Sequence, residues 1–425
     1  MTSRRSWLRN SVLGLAGSTL LTPQRLSALR GHQHRLDGEL SGDPDSEKYW
    51  ALVREHFSFA ENLRYFNNGS LGACPTYVVE ATNAFRATLD GFPSKYMWGG
   101  WQDQKEAVRG KVAAMLHVSP ETIALIHNTT EGMNLIASSM DLAAGDEVLL
   151  SNHEHTSARI PWKYWQEGKG VVLKTVNLPL IPEGPQEIVE AFRQAITPRT
   201  RVISLVHLTN TNGMILPVKA ISEMAHAHGI LVAVDGAQSM GMINIDLEDL
   251  GCDFFTSSSH KWTFSPKGMG VFYAREAAQK HLRPLIVCRG YEDESIRRLE
   301  NYNTRNLPEL LGLGAAMDYR NLIGGEEIER RIYALKAYLR EAIAQDERLV
   351  LKTPGSDLLS AGIQTVELRE HQVGEVKQKL ADEFHIDCRP MGSHGLNGLR
   401  ISLAIYHTKA DVDYLVEALR QVLDA

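Results

Sequence analysis

Apolar and polar positions alternate along the middle of the chain in two rhythms. Short apolar runs at 147–150, 170–176, 201–208, 230–234, 253–257 and 268–273 read as buried strands. Between and around them, apolar residues recur with helical spacing at 104–116, 131–140 and 218–228. Strands separated by helices of this kind imply βαβ units and a mostly parallel sheet. The texture changes near Glu326. A long charged helix over 326–344 leads into a strand at 362–368, a helix at 372–384, a strand at 398–405 and a final helix at 409–423. That pattern predicts a smaller α+β domain. The expected organisation is an N-terminal segment at 29–75 packed on the small domain, a large domain at 76–324 and the small domain at 325–425.

Composition narrows the function classes. Over 425 residues, 43% are hydrophobic, 23% are charged and the formal charge is −6. These values fit a globular enzyme and exclude a disordered or collagen-like chain. Lysine and arginine do not cluster in the body of the chain, so nucleic-acid binding is not expected. No apolar run approaches the length of a membrane span. The four cysteines, Cys74, Cys252, Cys288 and Cys388, are far apart and form no CxxC. The first residues differ from the rest. Arg4 and Arg5 precede Trp7 and Leu8, and an apolar stretch follows at 11–21. This resembles a twin-arginine signal peptide over 1–28, which implies the twin-arginine export machinery and a periplasmic or exported protein.

The chemistry concentrates in two segments, Val-Ala-Val-Asp-Gly-Ala-Gln at 232–238 and Ser-Ser-Ser-His-Lys-Trp at 257–262. Asp235 ends an apolar strand, and Lys261 follows another. Ligands of open α/β sheets bind at the carboxyl ends of strands, so both side chains should face one crevice. Pyridoxal 5′-phosphate needs this pair. A lysine amine forms a Schiff base with its aldehyde, and a buried carboxylate keeps its pyridine nitrogen protonated. Gln238 is placed to bond the cofactor phenolate oxygen. Thr129 and Thr130 open a helix, where free N–H groups favour a phosphate dianion, although a plain threonine cap gives the same pattern. His153 and His155 flank an acid, but no third ligand completes a metal site.

From about Tyr65 onward these motifs, in this order, resemble the pyridoxal-phosphate enzymes of aminotransferase class V, a group that includes cysteine desulfurases and isopenicillin N epimerases. The resemblance implies the type I fold of such enzymes: α/β, with a mainly parallel seven-stranded-type sheet in the large domain and a smaller α+β C-terminal domain. It places Asn-Thr-Thr-Glu-Gly-Met-Asn at 128–134 as the phosphate turn, with Ser258 and His260 also on the phosphate. It lays His155 against the cofactor ring opposite Lys261 and sets Asn210 beside the cofactor oxygen. It makes Arg400 the clamp for a substrate α-carboxylate, because a guanidinium fork matches a carboxylate, with Arg389 assisting. Asn68, in the run Tyr65 to Gly72, falls on the substrate side. Thr304 falls where the family crosses a homodimer interface to reach the partner's phosphate.

Within the family the wording leans to the epimerase-like branch. Cysteine desulfurases carry a nucleophilic cysteine on a loop shortly before the clamp arginine. Here Cys388 precedes Arg389 and the loop itself has no cysteine. The expected activity is Cα deprotonation of an amino-acid-like substrate by Lys261, most simply ending in epimerisation, with His155 or a tyrosine near Tyr65 or Tyr96 returning the proton. A class V aminotransferase or carbon–sulfur lyase on the same scaffold remains open, as does a cofactor-binding protein without catalysis.

Overall fold

In the computed structural model the described residues are 42–425 together with Leu36, Gly38 and Leu40. The segment read as a twin-arginine signal lies outside them. The strands in chain order are β1 (Arg64–Tyr65), β2 (Ile123–Ile126), β3 (Glu147–Ser151), β4 (Val172–Val176), β5 (Thr200–Val206), β6 (Leu231–Asp235), β7 (Phe254–Ser258), β8 (Gly270–Ala274), β9 (Leu349–Leu351), β10 (Ile363–Leu368), β11 (Ile386–Asp387), β12 (Arg389–Met391) and β13 (Gly398–Ser402).

Seven of them form the large sheet, in the order β2-β8-β7-β6-β5-β3-β4. The pairs β7–β6, β6–β5, β5–β3 and β3–β4 are parallel. Only β8 runs against the rest, pairing antiparallel with β7 and β2. The cause is local: the chain turns straight back after β7 through the Lys261 loop, with Ser259 N–H bonded to the Met269 carbonyl at 3.0 Å, and no helical crossover intervenes. Most residues of these strands are buried, which explains their continuous apolar runs. Helices Thr76–Gly91, Gln102–Met115 and Leu307–Ile323 pack together beside the sheet.

The smaller sheet has the order β12-β13-β10-β9 and is antiparallel throughout. Helices Gly325–Ile343, Val373–Phe384 and Lys409–Asp424 cover it, around a core that includes Leu335, Leu339, Leu380, Ile401 and Leu419. The N-terminal segment joins both cores. Trp50 and Val53 belong to the main core, whereas Phe66 enters the smaller one. β1 pairs with β11, and Asn67 bridges to Ser402. Thus the run from Asn67 to Gly72 is held between the two sheets. Among the described residues no helix is long and apolar enough to cross a membrane.

His226, in the last turn of the helix Val218–His226, is half-buried. Its Nε2 lies 2.9 Å from Asp253, a buried carboxylate that also accepts the Val232 N–H.

Burial also makes the fold sensitive to acid. His207 and His407 are buried, and burial pulls both imidazoles down to about 4. In the unfolded chain they titrate near 6.5. The fold therefore takes up fewer protons than the unfolded chain below that value. Each neutral imidazole contributes stability that is present above about pH 6.5 and is lost progressively between there and about pH 4, up to roughly 3 kcal/mol per residue. The thermal midpoint of the apoprotein is expected to hold steady above pH 7 and to fall from pH 6.5 towards pH 4. A flat profile across that window would contradict this assignment.

Candidate active site

The carboxyl ends of β3, β5, β6 and β7, with the helix that follows β2, surround one cleft. It opens to solvent above a cavity of about 50 Å³ and is lined by Thr129, Thr130, His155, Asn210, Asp235, Gln238, Ser258 and Lys261, together with Ser157 and apolar neighbours. Eight of the residues expected from the sequence therefore meet at one place.

Asp235 ends β6 and is buried, and one of its oxygens accepts the Ala237 N–H at 2.9 Å. Burial raises its pKa, while the Ala237 amide, Lys261 and His155 oppose the rise. Lys261 faces the same cleft and forms no ion pair among the described residues. Burial, with Arg400 and Arg389 adding to it, holds its amine down to about 8 against the pull of Asp235. The cleft thus contains a carboxylate that needs a cationic partner and an amine that is partly a free base near neutrality. That is the donor set a pyridinium aldehyde requires.

The phosphate end is built from a helix start. Asn128 caps the helix Thr129–Ser139 by accepting the Glu131 N–H at 3.0 Å. Ser258 Oγ, at the end of β7, accepts the Thr129 N–H at 3.0 Å and lies 2.9 Å from the Thr129 hydroxyl. This close seat depends on Gly132, where a Cβ would stand 2.0 Å from the Thr256 hydroxyl. Hydroxyls and a helix N-terminus here suit a dianion.

His155 caps the next helix, Thr156–Lys169. Its Nδ1 accepts the Ser157 N–H at 3.2 Å, so the ring proton sits on Nε2. Burial, then the nearby Lys261, Arg389 and Arg400, lowers its pKa despite Asp235. It is a neutral plate at neutral pH.

Arg400 on β13 is fully buried. It donates to the Asn210 carbonyl at 3.1 Å, to Asn67 Oδ1 at 3.1 Å and to Ser70 Oγ at 2.8 Å. All three acceptors are neutral, and its Nε has no partner. Burial pulls even this guanidinium down to about 9, with Arg389 adding to the effect and Tyr65 and Asp387 opposing it. Arg389 pairs opposite Arg400 across β12 and β13 and reaches the same Ser70 hydroxyl at 3.2 Å. The Asp387 carboxylate reaches it only through Asn67, and a buried guanidinium with no direct ion pair is costly unless an anion completes it.

Other expected residues sit elsewhere. Asn68, placed on the substrate side by the sequence, turns inward: its Nδ2 donates to the Lys261 carbonyl at 3.3 Å and its Oδ1 accepts from Tyr406 at 3.1 Å. Asn67 and Ser70, which sequence reasoning passed over, are the neighbours that meet Arg400. Gln238 reaches the cleft, but its Nε2 donates to the Gly69 carbonyl and its Oε1 accepts the Trp262 indole N–H, both at 2.8 Å. One amide proton is left for a ligand. His260 does not line the cleft; its ring is largely buried, Nδ1 has no partner, and burial lowers its pKa to about 4. Thr304 is exposed and does not line the cleft of its own chain. Tyr96 is packed on Trp101 in the core with ring centroids 4.9 Å apart, away from the cleft. The Tyr65 hydroxyl donates to the Leu71 carbonyl at 2.6 Å.

A sheet with reactive groups at its carboxyl edge, a lysine and carboxylate in one cleft, and a second domain supplying an arginine define a type I pyridoxal-phosphate fold. The match to the aminotransferase class-V family spans residues 65–415, and the chain belongs to that family. Pyridoxal 5′-phosphate is its cofactor. The chain is 32% identical to isopenicillin N epimerase of Amycolatopsis lactamdurans over 392 residues, covering 88% of this chain and 98% of that protein. It is also 32% identical to a cysteine desulfurase of Pectobacterium atrosepticum, covering 75% and 82% respectively. Among solved structures, cysteine desulfurase CsdA from Escherichia coli aligns with a TM-score of 0.77 at 25% identity, over 88% of this chain and 98% of that one.

The lysine loop and the substrate-side loop are in backbone contact. Gly72 N–H bonds the His260 carbonyl at 3.0 Å, and a Cβ at Gly72 would fall 2.0 Å from the Lys261 carbonyl oxygen. Gly72→Ala is expected to push the two loops apart. It should lower kcat/KM by about 100-fold or more, as a displacement of an ångström at reacting groups does, while costing only about 1–3 kcal/mol of stability. Unchanged turnover in the variant would contradict the contact.

Proposed function

We propose that this enzyme epimerises or racemises an amino acid or amino-acid-like substrate by removing and returning its Cα proton. The observation that carries the reading is Arg400, a buried guanidinium that forms no ion pair among the described residues, beside a cleft whose lysine is partly unprotonated near neutrality. Arg400 and Arg389 receive the α-carboxylate, which fixes the substrate's orientation. Lys261 then stands as the base for the Cα proton. The bound pyridoxal phosphate supplies an electron sink for the pair left at that carbon. Asp235 keeps the sink electron-poor, and Thr129, Thr130 and Ser258 hold its phosphate. Return of the proton from the face opposite Lys261 inverts the centre. His155, with its proton on Nε2, is the group nearest that role.

Three further points favour this branch over desulfuration. Cys388 is buried in the smaller core, and burial pushes its thiol up to about 12. The loop between β12 and β13, residues 392–397, contains no cysteine. The similarity to isopenicillin N epimerase spans nearly all of that relative, more than the match to the desulfurase does.

The proposal includes a homodimer in which Thr304 of one copy approaches the partner's cleft; exposed Ile286, Val287 and Tyr291 offer apolar surface for such a contact. It also includes export after cofactor loading, which suits a protein that must keep its cofactor.

The test is a substrate panel in heavy water. Holoenzyme is expected to place deuterium at Cα while optical activity decays, and Lys261→Ala should lose at least about 10³-fold of that exchange. Oxo-acid formation with retained configuration would overturn the reading in favour of transamination. Absence of exchange across the panel, with the visible spectrum unmoved, would overturn it in favour of a cofactor carrier.

A further inference from the structure

Between the two histidines of the β3 loop lies Glu154, a side chain that none of the steps above uses. Its Oε1 accepts the Ser151 hydroxyl at 2.6 Å and the Val206 N–H at 3.1 Å. Ser151 ends β3, and Val206 ends β5, directly opposite Asp235 on β6. Glu154 therefore ties the segment carrying His155 to the strand that flanks the cofactor carboxylate. Its other oxygen, Oε2, is buried and has no hydrogen-bond partner.

The charge state follows from these surroundings. An ionised carboxylate buried with one bare oxygen is costly, and Glu154 forms no ion pair among the described residues. Lys261, Arg389 and Arg400 in and around the cleft leave it unpaired. Asp235 contributes a nearby negative charge of the same sign. Burial pushes the Glu154 carboxyl up to about 8, with Asp235 adding to the rise against the Ser151 and Val206 hydrogen bonds.

We propose that Glu154 is a positioning residue: an uncharged acid that straps the His155 segment to β5, setting His155 relative to Asp235 without placing a second negative charge beside it. The role concerns cofactor seating and stands whichever way the Cα proton is returned. Among the described residues that line the cleft, Asp235 remains the only anion available to the pyridine nitrogen, and His155 stays where the cap bond from Ser157 leaves it.

The experiment uses the holoenzyme and reads its cofactor band. Glu154→Gln keeps the acceptor oxygen and the neutral charge. It is expected to leave the pH midpoint of the visible band unchanged and the rate of cofactor release within about twofold of wild type. Glu154→Ala removes the strap. It is expected to release cofactor about tenfold faster and to alter the circular dichroism of the cofactor band, which reports ring orientation. Should Glu154→Ala fail to fold, Ser151→Ala removes one of the two bonds to Oε1 and is expected to move the same signals partway. A shift of about one pH unit in the Glu154→Gln midpoint would show that a negative charge had been removed and would overturn the proposal. So would wild-type release and dichroism in the truncated variants. Neither result bears on epimerisation, because no turnover is read.

Discussion

Inside the cleft the fold holds an acid and a base that each lack a sufficient partner. Asp235 is raised and Lys261 lowered by the same cause, removal from water, and their mutual attraction offsets only part of that cost. Proteins tolerate such groups where a ligand completes them. A cationic ring nitrogen would answer Asp235, and an aldehyde would answer Lys261. Arg400 repeats the pattern, buried among neutral acceptors, and the proposed function seats a substrate carboxylate on it. Stability is given up at three points, and binding recovers it at the same three points.

The run from Asn67 to Gly72 connects these points. Asn67 and Ser70 bond Arg400, the Gly69 carbonyl receives Gln238, Asn68 donates to the Lys261 carbonyl, and Gly72 closes on His260. A loop at the N-terminal edge thus registers the small domain's arginine against the large domain's lysine. Because β1 pairs with β11, this loop is anchored on the small-domain side as well.

Much of this was legible in the chain. The parallel strands announced themselves because burial on both faces writes them as unbroken apolar runs. Asp235 and Lys261 stood after apolar strands, where chemistry collects, Thr129 opened a helix, and the family resemblance placed Ser258 and His155. Other elements were silent for physical reasons. β2 is a four-residue apolar run wedged between the turn Pro120–Thr122 and the helix Thr129–Ser139, and periodicity alone does not separate it from its neighbours. The helix Thr156–Lys169 contains Pro161, which argues locally against a helix, yet it forms with Trp162 buried and bonded to Ser204. The reversed direction of β8 follows from a loop connection that periodicity does not encode. Asn68 and Asn67 are neighbours of the same type, and only the path of the backbone decides which faces Arg400. Glu154 showed no signal beyond its place between two histidines, because its role arises from contacts with β5 distant in sequence.

The central claim is that the amine of Lys261 and the carboxylate of Asp235 together hold one pyridoxal phosphate. Reducing the yellow holoprotein with borohydride and mapping its peptides tests this most directly. The account predicts a stable phosphopyridoxyl label on Lys261 alone, and its loss in Lys261→Ala. A colourless protein after growth with ample vitamin B6, or a label carried by any other lysine, would contradict it.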